Sequence, residues 1–119
     1  MHPNEEIKRN NRIKKVISNS RAIVSKQIDF TVGCIKMKNL ICFVSDIKPI
    51  EEIDLGIFSD FYNEMAFYPI DKERILYNQK YLEKLDSEIQ AIIENFKPRI
   101  LVKCEEIIEK LPKVIKSLK

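Results

Sequence analysis

The stretch that decides the fold is residues 79–111, QKYLEKLDSEIQAIIENFKPRILVKCEEIIEKL. Its apolar side chains recur at intervals of three and four, the period of one face of an α-helix. These positions are Leu82, Leu85, Ile89, Ile92, Phe96, Ile100, Cys104, Ile107 and Leu111. The period continues across Pro98, so we favour one long helix kinked at this proline over a second helix that starts there. Pro112 is predicted to end the pattern and to leave 113–119 as a basic tail or a last turn.

Three shorter segments upstream carry the same helical period. We expect them at about 4–26, with Asn4 as N-cap, at 29–44, and at 55–65, with Asp54 as N-cap. Residues 66–78 are predicted to be an ordered loop. The chain has only two glycines and almost no alternation of apolar and polar residues, which argues against strands. We therefore predict an all-α fold: one domain, residues 1–119, forming a helical bundle of about four to five helices with a long Pro-kinked C-terminal helix.

The helical period also predicts which faces are buried. For the first helix the predicted stripe is Ile13, Val16, Ile17, Ser20, Ile23 and Val24. The second helix is apolar nearly all round, which favours a central place in the bundle; its apolar residues are Val32, Ile35, Met37, Leu40, Ile41, Cys42 and Val44. The third helix is predicted to bury Ile57, Phe61 and Met65 and to expose Ser59, Asp60, Asn63 and Glu64.

Gly33 and Gly56 lie in the first turns of the second and third predicted helices. A glycine inside a helix costs about 1 kcal/mol relative to alanine. We therefore interpret both as positions of close contact with a neighbouring helix.

Charge is unevenly distributed along the chain. Residues 46–64 contain six carboxylates and one cation, Lys48, whereas residues 1–38 contain nine Lys or Arg and three Asp or Glu. Residues 96–119 are basic as well, so the net charge of +3 conceals a polarised molecule. We expect a surface with separate acidic and basic regions.

The usual catalytic groups are missing. The single histidine, His2, is at a terminus, and Cys34, Cys42 and Cys104 have no Cys-x-x-Cys spacing. Triad catalysis needs a base beside the nucleophile, and metal sites need clustered ligands. We predict no enzyme activity, no metal and no cofactor. The cysteines are interpreted as small core side chains in a reducing compartment, and no secretion signal or membrane span is expected, so the predicted location is cytoplasmic.

The candidate functional residues are the carboxylates and tyrosines of the acidic segment and of the residues that follow it. The predicted partner-binding residues are Glu51, Glu52, Asp60, Tyr62, Glu64 and Tyr68. Aromatic side chains can anchor a protein interface, and carboxylates can steer a cationic partner towards it. A solvated helix face is the competing interpretation.

Two other functions stay open. Lys8, Arg12 and Lys15 form a basic stripe on the first helix, which would suit a regulatory or nucleic-acid-associated module. Because the stripe lacks interleaved aromatic residues and the acidic segment would repel a polyanion, we do not expect nucleic acid as the partner. A homodimer that buries the apolar second helix is the other alternative.

A family resemblance adds to these arguments. Residues 23–34 place Ile28-Asp29 shortly before Gly33-Cys34. Further matching positions are Pro69, Arg74, Asp86-Ser87-Glu88, Cys104 and Ile107-Ile108. This pattern resembles a group of small all-helical bacterial proteins, similar to the immunity proteins that neutralise polymorphic toxins, such as those of contact-dependent growth inhibition. Before the proline the group has a Ser-Glu-Thr-Asp-like turn, where this chain has Asn63-Glu64-Met65-Ala66.

The resemblance implies a cytoplasmic immunity protein that binds a cognate toxin domain. Charge suggests which toxin class to expect. A nuclease holds phosphates in a cationic cleft, and an acidic surface that carries aromatic side chains complements such a cleft. We therefore expect the partner to be a nuclease, either an RNase or a DNase.

Overall fold

The structure, a computed structural model, describes residues 2–68 and 78–116. It contains four α-helices: α1 (Pro3–Val24), α2 (Phe30–Ser45), α3 (Gly56–Met65) and α4 (Gln79–Lys116). No strand occurs among the described residues. The predicted all-α single domain is therefore confirmed. Most of the predicted loop, including Pro69, and the Arg74 of the family resemblance lie outside the described residues.

The four helices pack as a ring. α1 packs on α2, α2 on α3, α3 on α4, and α4 on α1. The molecule measures 55 × 25 × 22 Å. At 1.5 Å per residue, a helix of α4's length spans about 57 Å, so α4 runs along the whole molecule. In this ring the α1–α2 edge lies opposite the α3–α4 edge.

α4 is the single long helix that its periodicity predicts. It continues through both Pro98 and Pro112. Its buried side chains are Leu85, Phe96, Ile100, Cys104, Ile107 and Leu111, while Leu82, Ile89 and Ile92 are half-buried. Of the two predicted alternatives for the residues after Pro112, the structure shows a last helical turn as far as Lys116, although the apolar pattern does not stop at Pro112, because Val114 and Ile115 still pack against the core.

The ends of α1 differ from the prediction by one or two residues. The N-cap is His2, whose Nδ1 accepts from the backbone N–H of Asn4 at 3.1 Å, so Asn4 is not the cap. At the other end, Lys26 has φ 63° and its N–H bonds the carbonyl of Ile23. The next N–H, of Gln27, bonds back to α1 too, and together these bonds form a Schellman motif that ends the helix before Lys26.

The caps of α2 and α3 use aspartates in different ways. Asp29 is the N-cap of α2, and its Oδ2 accepts from the N–H of Val32. α3 has Leu55 as N-cap, so the prediction of Asp54 was one residue early. Asp54 still serves this helix, because its Oδ1 accepts from the N–H of Gly56 at 2.9 Å.

Three predictions about buried faces were wrong. α2 is not enclosed: it packs on α1 and α3, and Cys42 and Phe43 on its outer face are exposed. A helix that is apolar nearly all round can still have an exposed face when its main contacts are with two other helices. In α3 Phe58 is buried beside Phe61 and Met65, and the predicted Ile57 is only half-buried. In α1 Val24 is exposed because the helix ends there.

The two glycines differ in their surroundings. A Cβ on Gly33 would lie 2.7 Å from Cγ1 of Ile23 in α1, so the predicted close contact is confirmed there. The carbonyl of Gly33 also accepts from Nδ2 of Asn19 at 2.9 Å. A Cβ on Gly56 would meet only Oδ1 of Asp54, at 3.2 Å, so this glycine makes no close contact with another helix.

Candidate protein-binding surface

The outer face of α3 carries two of the predicted partner-binding carboxylates. Asp60 and Glu64 are one helical turn apart and exposed, as the periodicity predicts. Neither forms an ion pair within the described residues. Both charges are therefore free to act on a partner.

Tyr68 joins this face to α4. Its backbone N–H bonds the carbonyl of Met65 at 3.1 Å, which places the tyrosine just beyond the end of α3. The half-buried side chain lies close to Glu88 of α4. Partial burial, then the charge of Glu88 and its hydrogen-bonding interaction with the hydroxyl, and last the charge of Glu64 raise the pKa of Tyr68. The hydroxyl is therefore protonated at neutral pH and can donate to Glu88.

We call the residues along this α3–α4 edge the acidic patch: Tyr68, the carboxylates Glu64 and Glu88 whose charges act on it, and Asp60, one helical turn from Glu64. Phe67, next to Tyr68 in the chain, is 89% exposed. The patch therefore combines three carboxylates, a tyrosine and an adjacent exposed phenylalanine ring. Large exposed aromatic side chains next to charge are typical of protein-binding surfaces.

Sequence reasoning missed Glu88 as a site residue. The Asp86-Ser87-Glu88 segment enters the sequence argument only through the family resemblance. Its position on the exposed side of a strongly periodic helix was visible, but its proximity to Tyr68 was not, because 20 positions separate the two residues.

Three predicted contacts do not belong to the acidic patch. Tyr62 is two positions from both Asp60 and Glu64, about 200° around the helix, so it lies on another side of α3. Its ring is covered by Lys38 of α2, whose Nζ lies 4.4 Å from the ring centroid. Glu51 and Glu52 are exposed in the connection that precedes α3. The first residue of α3, Gly56, is already about 12 Å along the helix from Glu64, so both glutamates lie away from the acidic patch.

The acidic patch differs from the carboxylate Glu106 further along α4. Glu106 accepts from Lys103 at 2.9 Å and from Lys110 at 3.1 Å. These two hydrogen bonds lower the pKa of Glu106, and its charge is balanced within the protein. The carboxylates of the acidic patch have no cation of this kind among the described residues.

The cysteines are placed for packing, with one exception. Cys34 and Cys104 are fully buried, whereas Cys42 is exposed, so the prediction of three core thiols holds for two. Burial, then the proximity of Cys104 and Asp29, raises the pKa of the Cys34 thiol. Burial also raises the pKa of Cys104 to about 11, although the neighbouring Ser20 side chain acts in the opposite direction. Both buried thiols are protonated at neutral pH.

The arginines of α1 take part in packing. Arg12, a member of the predicted basic stripe, donates from Nη1 to the carbonyl of Phe43 at 2.6 Å. Arg9, which the sequence argument did not single out, is 4% exposed and donates to the carbonyls of Lys48 and Pro49 at 2.8 and 3.1 Å. These bonds hold the start of the connection between α2 and α3 against α1.

Within the described part of the chain, no group of three or more His, Cys, Asp or Glu side chains is placed to hold a metal ion. None of the helices described here is long and apolar enough to cross a membrane. No family model, curated protein or solved structure matches the chain. The resemblance to immunity-type proteins therefore stays a prediction.

Proposed function

We propose that this protein is an immunity protein that binds a cognate toxin domain, a nuclease, and covers its active-site cleft with the acidic patch. The observation that supports this most is the set of carboxylates along the α3–α4 edge, with Glu64 and Glu88 beside Tyr68 and Asp60 one turn from Glu64, and with no balancing cation among the described residues. No chemistry by the protein itself is required, since blocking access to the cleft is sufficient.

The physical argument starts from the partner. A nuclease cleft must attract phosphates, so it presents Lys and Arg side chains at close range. Asp60, Glu64 and Glu88 offer negative charge to the same groups, which accelerates association and selects against anionic partners. Phe67 and Tyr68 supply aromatic area that becomes desolvated on binding and slows dissociation.

The first experiment tests the pairing itself. The protein is purified together with the product of the gene immediately upstream, because immunity genes lie beside their toxin genes. We expect a stoichiometric complex in size-exclusion chromatography and protection of cells that express the upstream product. If the upstream product does not bind this protein and stays toxic in cells that also express it, the proposed function is wrong.

The second experiment tests the acidic patch. Asp60→Lys combined with Glu64→Lys should slow association with the toxin by at least about tenfold in stopped-flow measurements, since exposed charges act mainly on the association rate. The melting temperature should stay close to that of the wild type, because neither side chain forms an ion pair within the described residues.

The matched control is Glu105→Lys combined with Glu109→Lys. This pair makes the same change of charge at the same spacing on exposed residues of α4. Glu105 lies 17 positions from Glu88, about 25 Å along the helix. Equal slowing by both double variants would show that only net charge matters, and would exclude the acidic patch as the binding site.

A further inference from the structure

A groove runs along the opposite edge of the ring, between α1 and α2. It consists of two adjoining depressions of about 450 and 230 Å³, which share Lys15 and Leu40 in their linings. We call it the basic groove. Its cations are Arg12, Lys15 and Lys36, and its apolar residues include Ala22, Leu40 and Phe43.

The dimensions of the basic groove suit a helix. From Arg12 to Ala22 the α1 side of the groove is about 15 Å long, close to three helical turns. Phe43 is 53% exposed at one end, and Leu40 is half-buried between the two depressions. This apolar surface favours the binding of a helix whose apolar side chains recur at helical spacing along one face.

The charge of the basic groove has one sign. Within residues 2–68 and 78–116, no Asp or Glu belongs to the lining of either depression, and Lys15 and Lys36 form no ion pair. Arg12 is held in place by its bond to the Phe43 carbonyl and by its stacking over that ring, at 5.8 Å from the centroid. Cations therefore flank an apolar floor.

We propose that the basic groove binds an acidic amphipathic helix of a partner protein. Apolar side chains of that helix pack on Ala22, Leu40 and Phe43, while its carboxylates face Lys15 and Lys36. The apolar floor favours this ligand over a nucleic acid, whose backbone would find few apolar contacts to replace the water it displaces. The proposal is independent of the immunity function, because the acidic patch lies across the ring.

The probe is a fluorescein-labelled, amidated peptide of about 16 residues, long enough to form a helix, with Leu on one face and Glu elsewhere. Fluorescence anisotropy with the whole protein should show saturable binding that weakens as salt increases. The same peptide with Lys in place of Glu should not bind. Tighter or equal binding of the Lys peptide would overturn the proposal.

The groove is then tested with Lys15→Glu combined with Lys36→Glu, which should weaken binding by at least about tenfold. The matched control is Lys80→Glu combined with Lys84→Glu, two exposed lysines of α4, which should leave affinity unchanged. Circular dichroism confirms that each variant is folded.

Three results would refute this assignment. The Lys15 and Lys36 variant could bind the Glu peptide as well as the wild type does. Sedimentation could show a dimer that the Lys15 and Lys36 variant abolishes, which would make a second copy of the chain the occupant. A single-stranded RNA oligonucleotide could bind the groove more tightly than the Glu peptide.

Discussion

At the scale of single residues, Gly33 fixes how closely α2 approaches α1. An added Cβ would meet Cγ1 of Ile23 at 2.7 Å and Cγ2 of Ile28 at 3.0 Å. Overpacking of this kind costs about 1–3 kcal/mol, against a gain of about 1 kcal/mol in helix propensity. The net effect is a loss of up to about 2 kcal/mol in the free energy of unfolding of Gly33→Ala, which urea titrations measure.

Gly56→Ala is the matched control. Its Cβ would approach only the side chain of Asp54, which is exposed, so we expect a change within about 0.5 kcal/mol. Equal stability of Gly33→Ala and the wild type would show that α2 can move away from α1 without cost. The sequence predicted the same role for both glycines, because their distances to other helices depend on tertiary packing and not on the local pattern.

At the scale of the helices, α4 carries an unusual defect. Pro98 lies inside the helix with its ring exposed, and it has no N–H to donate to the carbonyl of Glu94. An interior proline costs about 3 kcal/mol relative to alanine, offset by about 1 kcal/mol because it restricts the unfolded chain. We expect Pro98→Ala to raise the free energy of unfolding by about 1–2 kcal/mol in urea titrations.

Pro112→Ala is the control for this variant. Pro112 is close to the end of α4, so fewer helical residues follow it than follow Pro98. The increase in the free energy of unfolding should therefore be smaller for Pro112→Ala than for Pro98→Ala. A loss of stability in Pro98→Ala would contradict the prediction, and would mean that the packing of Phe96 and Ile100 depends on the proline.

The residue ranges of the helices were largely predictable from the sequence, but the pairs of helices that pack against each other were not. Regular apolar spacing located all four helices, since that period is a local property of the chain. Cap residues were displaced by one or two positions at α1 and α3, because a cap depends on backbone angles such as the positive φ of Lys26. The exposed outer face of α2 and the proximity of Glu88 to Tyr68 both follow from the order of the helices in the ring. No local pattern records that order.

At the scale of the whole molecule, the ring places opposite charges on opposite edges. The acidic patch lies between α3 and α4, and the basic groove lies between α1 and α2. The uneven distribution of charge along the sequence predicted separate acidic and basic regions, but not that they would face away from each other. Two partners of opposite charge could therefore occupy the protein at the same time.

The cooperativity of the whole fold can be measured with the cysteines. Cys34 and Cys104 belong to one core contributed by all four helices, so a reagent reaches them only when the domain opens. Their raised pKa values also leave little thiolate at pH 8, whereas Cys42 is exposed. With Ellman's reagent at pH 8 we expect one thiol to react at once and two to react slowly, at a rate that rises with urea. Cys42→Ser should remove the fast phase alone. Rapid reaction of two or three thiols in the native protein would show that the core opens locally, without unfolding of the whole domain.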